Sequence, residues 1–249
     1  MKRSVYLAII TVVTCACVVI GIARHVGIHH TDSVMDIPSM ASDSGISADN
    51  FSSIDLEVSL ADVLITSGNE FSVQASANRE KFTPKWVVED GVLKIRQSSG
   101  AFADIIGFKK NESRVIITVP ERNSLTNADL SLDVGDIRIS GVDIDSLNLE
   151  SDTGDVRVDN MQAKSVSIES DIGNVDCANV LFSENMDVEC DTGNANVTGL
   201  SDLESLRVDL DADLGKISFG GNSCGRNFSQ NGNGPRLSIQ ADIGNITVE

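Results

Sequence analysis

One signature is written six times in the second half of the chain: an Asp, any residue, a Gly, then apolar residues at every second position. It occurs as DVGDIRI, DTGDVRV, DIGNVDC, DTGNANV, DLGKISF and DIGNITV, with glycines at Gly135, Gly154, Gly173, Gly193, Gly215 and Gly244. Successive glycines stand 19, 19, 20, 22 and 29 residues apart. Self-similarity at such a period marks a stacked repeat, in which each unit covers the open face of the next.

Two positions after the glycines stand Ile137, Val156, Val175, Ala195, Ile217 and Ile246, and four after stand Ile139, Val158, Cys177, Val197, Phe219 and Val248. The residue between them is polar in every copy. Five before stand Leu130, Leu149, Ile168, Val188, Leu210 and Ile239, and seven before stand Ala128, Leu147, Val166, Met186, Val208 and Leu237. This is the alternation of strands with one buried face. The buried parity is odd before the glycine and even after it, so the chain changes face there. A glycine corner or bulge is the expected device. The Asp at the head of each signature (Asp133, Asp152, Asp171, Asp191, Asp213 and Asp242) is expected to cap that bend by accepting from its own downstream backbone. The prediction is an all-β fold, a parallel β-solenoid of about 20-residue repeats over residues 127–249, with like positions about 4.8 Å apart in adjacent coils.

Residues 51–126 read as an irregular β half of the same object. IDLEVSLADVLITSG alternates well, and its Ala61-Asp62-Val63 resembles a repeat corner without the glycine. Asn69 to Ala77 supplies a further strand, WVVEDGVLKIRQ a hairpin about Asp90-Gly91, and VIITVP a buried strand closed by a proline. Between them, Phe102, Ile105, Ile106 and Phe108 beside Lys109 and Lys110 read as a loop folded over the end of the stack. GGNSCGRNFSQNGNGP, residues 220–235, reads as a loop leaving one corner.

The amino terminus is of another kind. Lys2 and Arg3 precede nineteen uncharged residues, Val5 to Ala23, which as a helix reach about 28 Å, one hydrocarbon thickness. Residues 1–25 are therefore read as an N-terminal transmembrane anchor with a cytoplasmic amino end and an exported domain. A signal peptide cleaved after Gly21-Ile22-Ala23 and a lipoprotein through Cys15 or Cys17 are the rivals. Residues 26–50, rich in Ser and Asp, read as a flexible linker.

Charge narrows the function. The chain carries 19 basic and 37 acidic residues, and no acid precedes Asp32. Such an anionic domain repels phosphate backbones, which disfavours nucleic acid, and attracts cations or basic partners. All three histidines, His25, His29 and His30, lie beside the apolar segment and read as flanking residues. The repeat domain thus has no His for a Ser-His-Asp or Cys-His centre or for a His-ligated zinc. An acid that recurs in phase reads as a turn element. Calcium held between stacked Asp133, Asp152, Asp171, Asp191, Asp213 and Asp242 is the sharper alternative. Cys177 and Cys190 fall on the inward parity and read as buried free thiols, whereas Cys224 is the thiol to test for reactivity. No cofactor is expected.

The membrane segment, the VIITVP half, the SDTGDVRV repeats, the glycine-rich loop and the closing LSIQADIGNITVE together resemble the bacterial DUF4097 family of adhesin-like proteins. The resemblance covers residues 50–249 and implies a β-helical cell-envelope protein; some members are linked to envelope stress and to responses to membrane-active antibiotics. One departure is Asn or Lys after the glycine in four copies, where the family has Asp. The expectation is a non-catalytic binding or sensing module whose partner is an envelope protein, polymer or glycan. A passive stalk is the alternative, and an acid-catalysed wall-polymer hydrolase the remote one.

Overall fold

The computed structural model describes residues 46–47, 50–77, 82–97, 113–121 and 123–249. The apolar segment 5–23, the histidines and the loop bearing Phe102 and Phe108 lie outside the described residues. Among those described, no helix is long and apolar enough to cross a membrane.

These residues are strand almost throughout. The first group is β1 (Ile46–Ser47), β2 (Ser53–Val58), β3 (Asp62–Gly68), β4 (Ser72–Ala77), β5 (Lys85–Glu89), β6 (Val92–Arg96) and β7 (Ser113–Pro120). The repeats supply β8 (Leu125–Val134), β9 (Ile137–Ser140), β10 (Ile144–Thr153), β11 (Val156–Ile172), β12 (Val175–Thr192) and β13 (Ala195–Thr198). The chain closes with β14 (Arg207–Leu214), β15 (Ile217–Phe219), β16 (Asn222–Gly225), β17 (Asn227–Gln230), β18 (Arg236–Ile243) and β19 (Ile246–Val248).

Each copy contributes one strand on either side of its glycine, and like strands pair in parallel, residue for residue. Leu130 stands opposite Leu149, Leu149 opposite Ile168, and Ile168 opposite Val188. Past the corner, Ile137, Val156, Val175 and Ala195 form a second file. All four inward columns read from the sequence are buried, apart from Phe219 in the end coil, which is only partly covered. β2 and β3 form a coil of the same kind, with Ala61 at its corner, so the first half is indeed part of the same stack.

The corner needs glycine because coils approach backbone to backbone there. A Cβ built on Gly154 would stand 1.7 Å from the carbonyl oxygen of Gly135, and the same collision recurs up the file through Gly173, Gly193, Gly244 and Gly215. At the start of the file, a Cβ on Gly135 would meet the carbonyl oxygen of Ala61 at 1.9 Å.

Two features of the stack depart from the sequence reading. The first is coil order. β18–β19, last in the chain, lies between β12–β13 and β14–β15. At the other end β2–β3, the first coil in chain order, lies between β6–β7 and β8–β9. The outermost coil at each end is therefore held by chain on both sides. The second is the segment 220–235, which is not a bare loop. Its strands β16 and β17 run antiparallel to β15 and β14, and the Phe228 ring packs 4.7 Å from that of Phe219. β4 on β7 and β5 on β6 close the opposite end in the same antiparallel manner, and the Asp90-Gly91 hairpin forms as expected. Gln97 seals that end: its Oε1 accepts from Leu60 N–H at 2.7 Å, while its Nε2 donates to the carbonyls of Leu60 and Phe82. Reversed strands cover edges that would otherwise pair with other chains.

A second corner escaped the sequence reading. Six residues after the repeat glycines stand Gly141, Asn160, Asn179, Gly199 and Gly221, all with positive φ. Asn tolerates the left-handed region nearly as well as Gly, so the Gly/Asn column was the signal.

Candidate functional site

The expected capping role of the leading Asp is corrected by the structure. Among the described residues, no side-chain hydrogen bond forms at Asp133, Asp152, Asp171, Asp191, Asp213 or Asp242; all six carboxylates are exposed. The turn is instead tied by the residue after the glycine, and across coils rather than within one. Asp62 accepts from Asp136 N–H, Asp136 from Asp155 N–H, and Asp155 from Asn174 N–H at 2.9 Å. Asn174 accepts from Asn194 N–H, Asn194 from Asn245 N–H, and Asn245 from Lys216 N–H. The amide groups of Asn174, Asn194 and Asn245 each donate back to the preceding oxygen at 3.1 Å. Carboxylates stacked at coil spacing repel, and an amide both removes that charge and adds a donor. The Asn residues that break the repeated Asp thus strengthen the ladder. Lys216 occupies its final rung, where only a backbone N–H is used.

Two outer sides of the stack differ in charge balance. Past the corner, cations and acids pair diagonally between coils: Arg138 lies 3.1 Å from Asp159, and Arg157 3.3 Å from Asp176. Asn196 and Ser140 donate to the same two acids, so this side is electrically satisfied. Before the corner the opposite holds. The leading Asp file runs beside a second file, Glu57, Ser131, Glu150, Glu169, Glu189, Gln240 and Asp211 in spatial order. Its cations sit at the margins, with Arg96 bound to Asp55 and Glu57, and Arg236 3.5 Å from Asp187. Among the described residues, neither the leading Asp residues nor Glu150, Glu169 and Glu189 have a cationic partner within ion-pair distance.

The crowding has a protonation signature. Partial loss of water raises the Glu169 carboxyl above its ordinary value, and Glu150, Glu189, Asp171 and Asp191 push it further. Asp152 is raised in the same way, with Asp133, Asp171 and Glu150 as the neighbours. A raised acid binds its proton more readily folded than unfolded. Its stabilising contribution is present below the unfolded value and lost as pH rises through the folded one. Glu169→Gln is therefore expected to stabilise the domain near neutral pH by up to about 0.5 kcal/mol, the range of exposed substitutions. Thermal melts of both proteins against pH should show the gap closing as pH falls through the raised folded value, and gone below the ordinary value of 4.5. A gap that widens on acidification overturns the repulsion reading.

No three Asp, Glu, Cys or His side chains among the described residues converge to hold a metal ion. The leading Asp residues instead supply one carboxylate per coil. Cys177 and Cys190 are buried and unpaired, and burial raises their thiols to about 12 and about 11. Cys190 Sγ lies 3.4 Å from the Gly173 carbonyl oxygen. Both thiols are inert at neutral pH. Cys224 is half-buried in β16, its Sγ 3.4 Å from the Asn222 carbonyl oxygen.

No curated protein matches the chain. Its fold is similar to that of a candidate cell adhesion protein from Clostridium sporogenes: TM-score 0.51 and 17% identity, covering 82% of this chain and 95% of that one. A candidate adhesin from Bacteroides fragilis aligns over the same 82%, at 16% identity, with a TM-score of 0.37 and 95% of its own length covered. With its glycine corners stacked on an open sheet and residues 51–249 matching the profile described as Toastrack DUF4097, the chain belongs to that family.

Proposed function

We propose that the described domain is a non-catalytic binding module of the cell envelope, holding an extended cationic partner along its acidic side, and that residues 5–23 anchor it outside the cytoplasmic membrane. The observation that carries this reading is the asymmetry between the two sides. One acid side is matched by Arg138 and Arg157 at ion-pair distance, whereas Glu150, Glu169 and Glu189 stand in file with no cation among the described residues. A row of like charge is a standing cost to the fold, and an oppositely charged partner relieves it. The cell adhesion name carried by the Clostridium sporogenes protein of similar fold accords with a recognition role.

The test uses the full chain in detergent micelles, with poly-L-lysine as probe and poly-L-glutamate and dextran as controls. Binding of poly-L-lysine should fall more than tenfold in the Glu150→Gln/Glu169→Gln/Glu189→Gln variant. It should change little when Glu184→Gln, Asp202→Asn and Glu204→Gln remove the same charge elsewhere. Equal losses in both variants would reduce the attraction to net charge and sink the reading. Absence of any binding leaves the stalk.

A further inference from the structure

The residue immediately before each repeat glycine forms a file of its own at the corner. In spatial order it reads Val134, Thr153, Ile172, Thr192, Ile243 and Leu214. Ile172 is 37% exposed, Ile243 53% and Leu214 66%, which are three of the five exposed large apolar side chains among the described residues. Isolated exposed apolar residues are ordinary, but three in one file are not: Ile243 and Leu214 stand in adjacent coils, with only Thr192 between them and Ile172. This ridge has the leading Asp residues on one flank and the Asp/Asn ladder on the other. Lys216 and Arg226, which donates to the Asp213 carbonyl oxygen at 3.0 Å, close the acidic flank at the β14 end.

We infer that this corner ridge docks the apolar stripe of a basic amphipathic helix, whose flanking Lys or Arg residues meet the Asp file. The inference rests on the acidic-side reading above and names its partner more narrowly. Two periodicities favour a helix. Five coil steps span about 24 Å, which a helix covers in about four and a half turns, so one apolar residue per turn stays near register with one ridge residue per coil. A strand laid along the same line presents a same-face side chain only about every 6.7 Å and falls out of step within two coils. The narrowness of the ridge also suits a stripe bordered by cations rather than a broad apolar face.

The chain itself supplies a gentle way to remove the ridge, because Thr153 and Thr192 already fill this file in neighbouring coils. The variant Ile172→Thr/Ile243→Thr/Leu214→Thr places a β-branched residue at each of the three corners. The full chain and this variant are titrated with two probes: an amphipathic Leu/Lys peptide of about 16 residues with one apolar stripe, and poly-L-lysine, which has none. The inference requires that the wild type bind the amphipathic peptide at least tenfold more tightly than a scrambled peptide of equal composition. It also requires that the threonine variant lose that advantage while binding poly-L-lysine as before. Equal affinity for ordered and scrambled peptides, or an unchanged advantage in the variant, overturns the ridge and leaves the acidic-side reading standing. Failure of poly-L-lysine to bind either protein overturns both. Matching thermal melts confirm that the variant retains the fold.

Discussion

Gly154→Ala is expected to cost on the order of 4–5 kcal/mol, at the far end of single-substitution effects. The added Cβ would sit 1.7 Å from the Gly135 carbonyl oxygen, and that oxygen belongs to backbone locked on both sides. Relief requires the coils to part at the middle of the stack. That strains Gly135 N–H to Thr153 O, 2.9 Å, and Ile137 N–H to Asp155 O, 3.0 Å. The φ of 147° adds backbone strain of about 1 kcal/mol or more for a residue with a side chain. Gly221→Ala is the control. It shares a positive φ, 75°, but nothing stands within 4 Å of its Cβ site, so only the strain of about 1 kcal/mol is expected. Urea denaturation of both variants decides the matter. Equal losses would mean that close approach of coils is not what the repeat glycine provides.

Ending the chain at Pro235 is expected to melt strands that remain in the polypeptide. The removed segment carries Leu237, Ile239, Ile246 and Val248, all buried. At about 1.5–3 kcal/mol for each such side chain, their loss is comparable to the whole stability of a domain. Because β18–β19 lies under β14–β15, that end coil also loses its neighbour, and β16 and β17 lose the strands they cover. Stacked repeats interact with their neighbours only, so coils from β8 to β12 should persist. Hydrogen exchange should accordingly show residues 207–230 unprotected and residues 144–178 still protected. Were the coils stacked in chain order, the truncation would leave β14–β15 on β13 and its protection intact.

Repulsion along the acid files and the charge asymmetry of the two sides were half visible beforehand. The excess of acids over bases marked a cationic partner, and the polar columns showed which residues point outward. That Arg138 and Arg157 meet acids of the next coil, while Glu150, Glu169 and Glu189 meet other acids and, among the described residues, no cation, depends on register between coils. The leading Asp was assigned the cap because Asp often bonds its own turn. The structure gives the cap to the residue after the glycine, Asp136 or its counterpart, whose side chain accepts a backbone N–H of the adjacent coil. The exposed ridge of Ile172, Ile243 and Leu214 was likewise hidden, since nothing local distinguishes an outward corner residue from an inward one.

The chain alone determined the unit and its phase: which side chains enter the core, where the corners fall, that glycine must occupy them, and that the first half joins the same stack. These are local properties, set by a two-residue alternation and by a backbone position without room for a Cβ. Only the tertiary structure decided the order of the coils. Every coil offers the same hydrogen-bonding edge and the same aliphatic columns, so any coil in phase can stack on any other, and local sequence is silent on the choice. Connection length settles it. Glycine spacings of 19 and 20 reach only the adjacent layer, whereas those of 22 and 29 let the chain pass over one layer, reverse through β16 and β17, and return beneath it. Lys216 looks misplaced in chain order, before Asn245, yet in space it is the last rung, where the ladder needs no further acceptor.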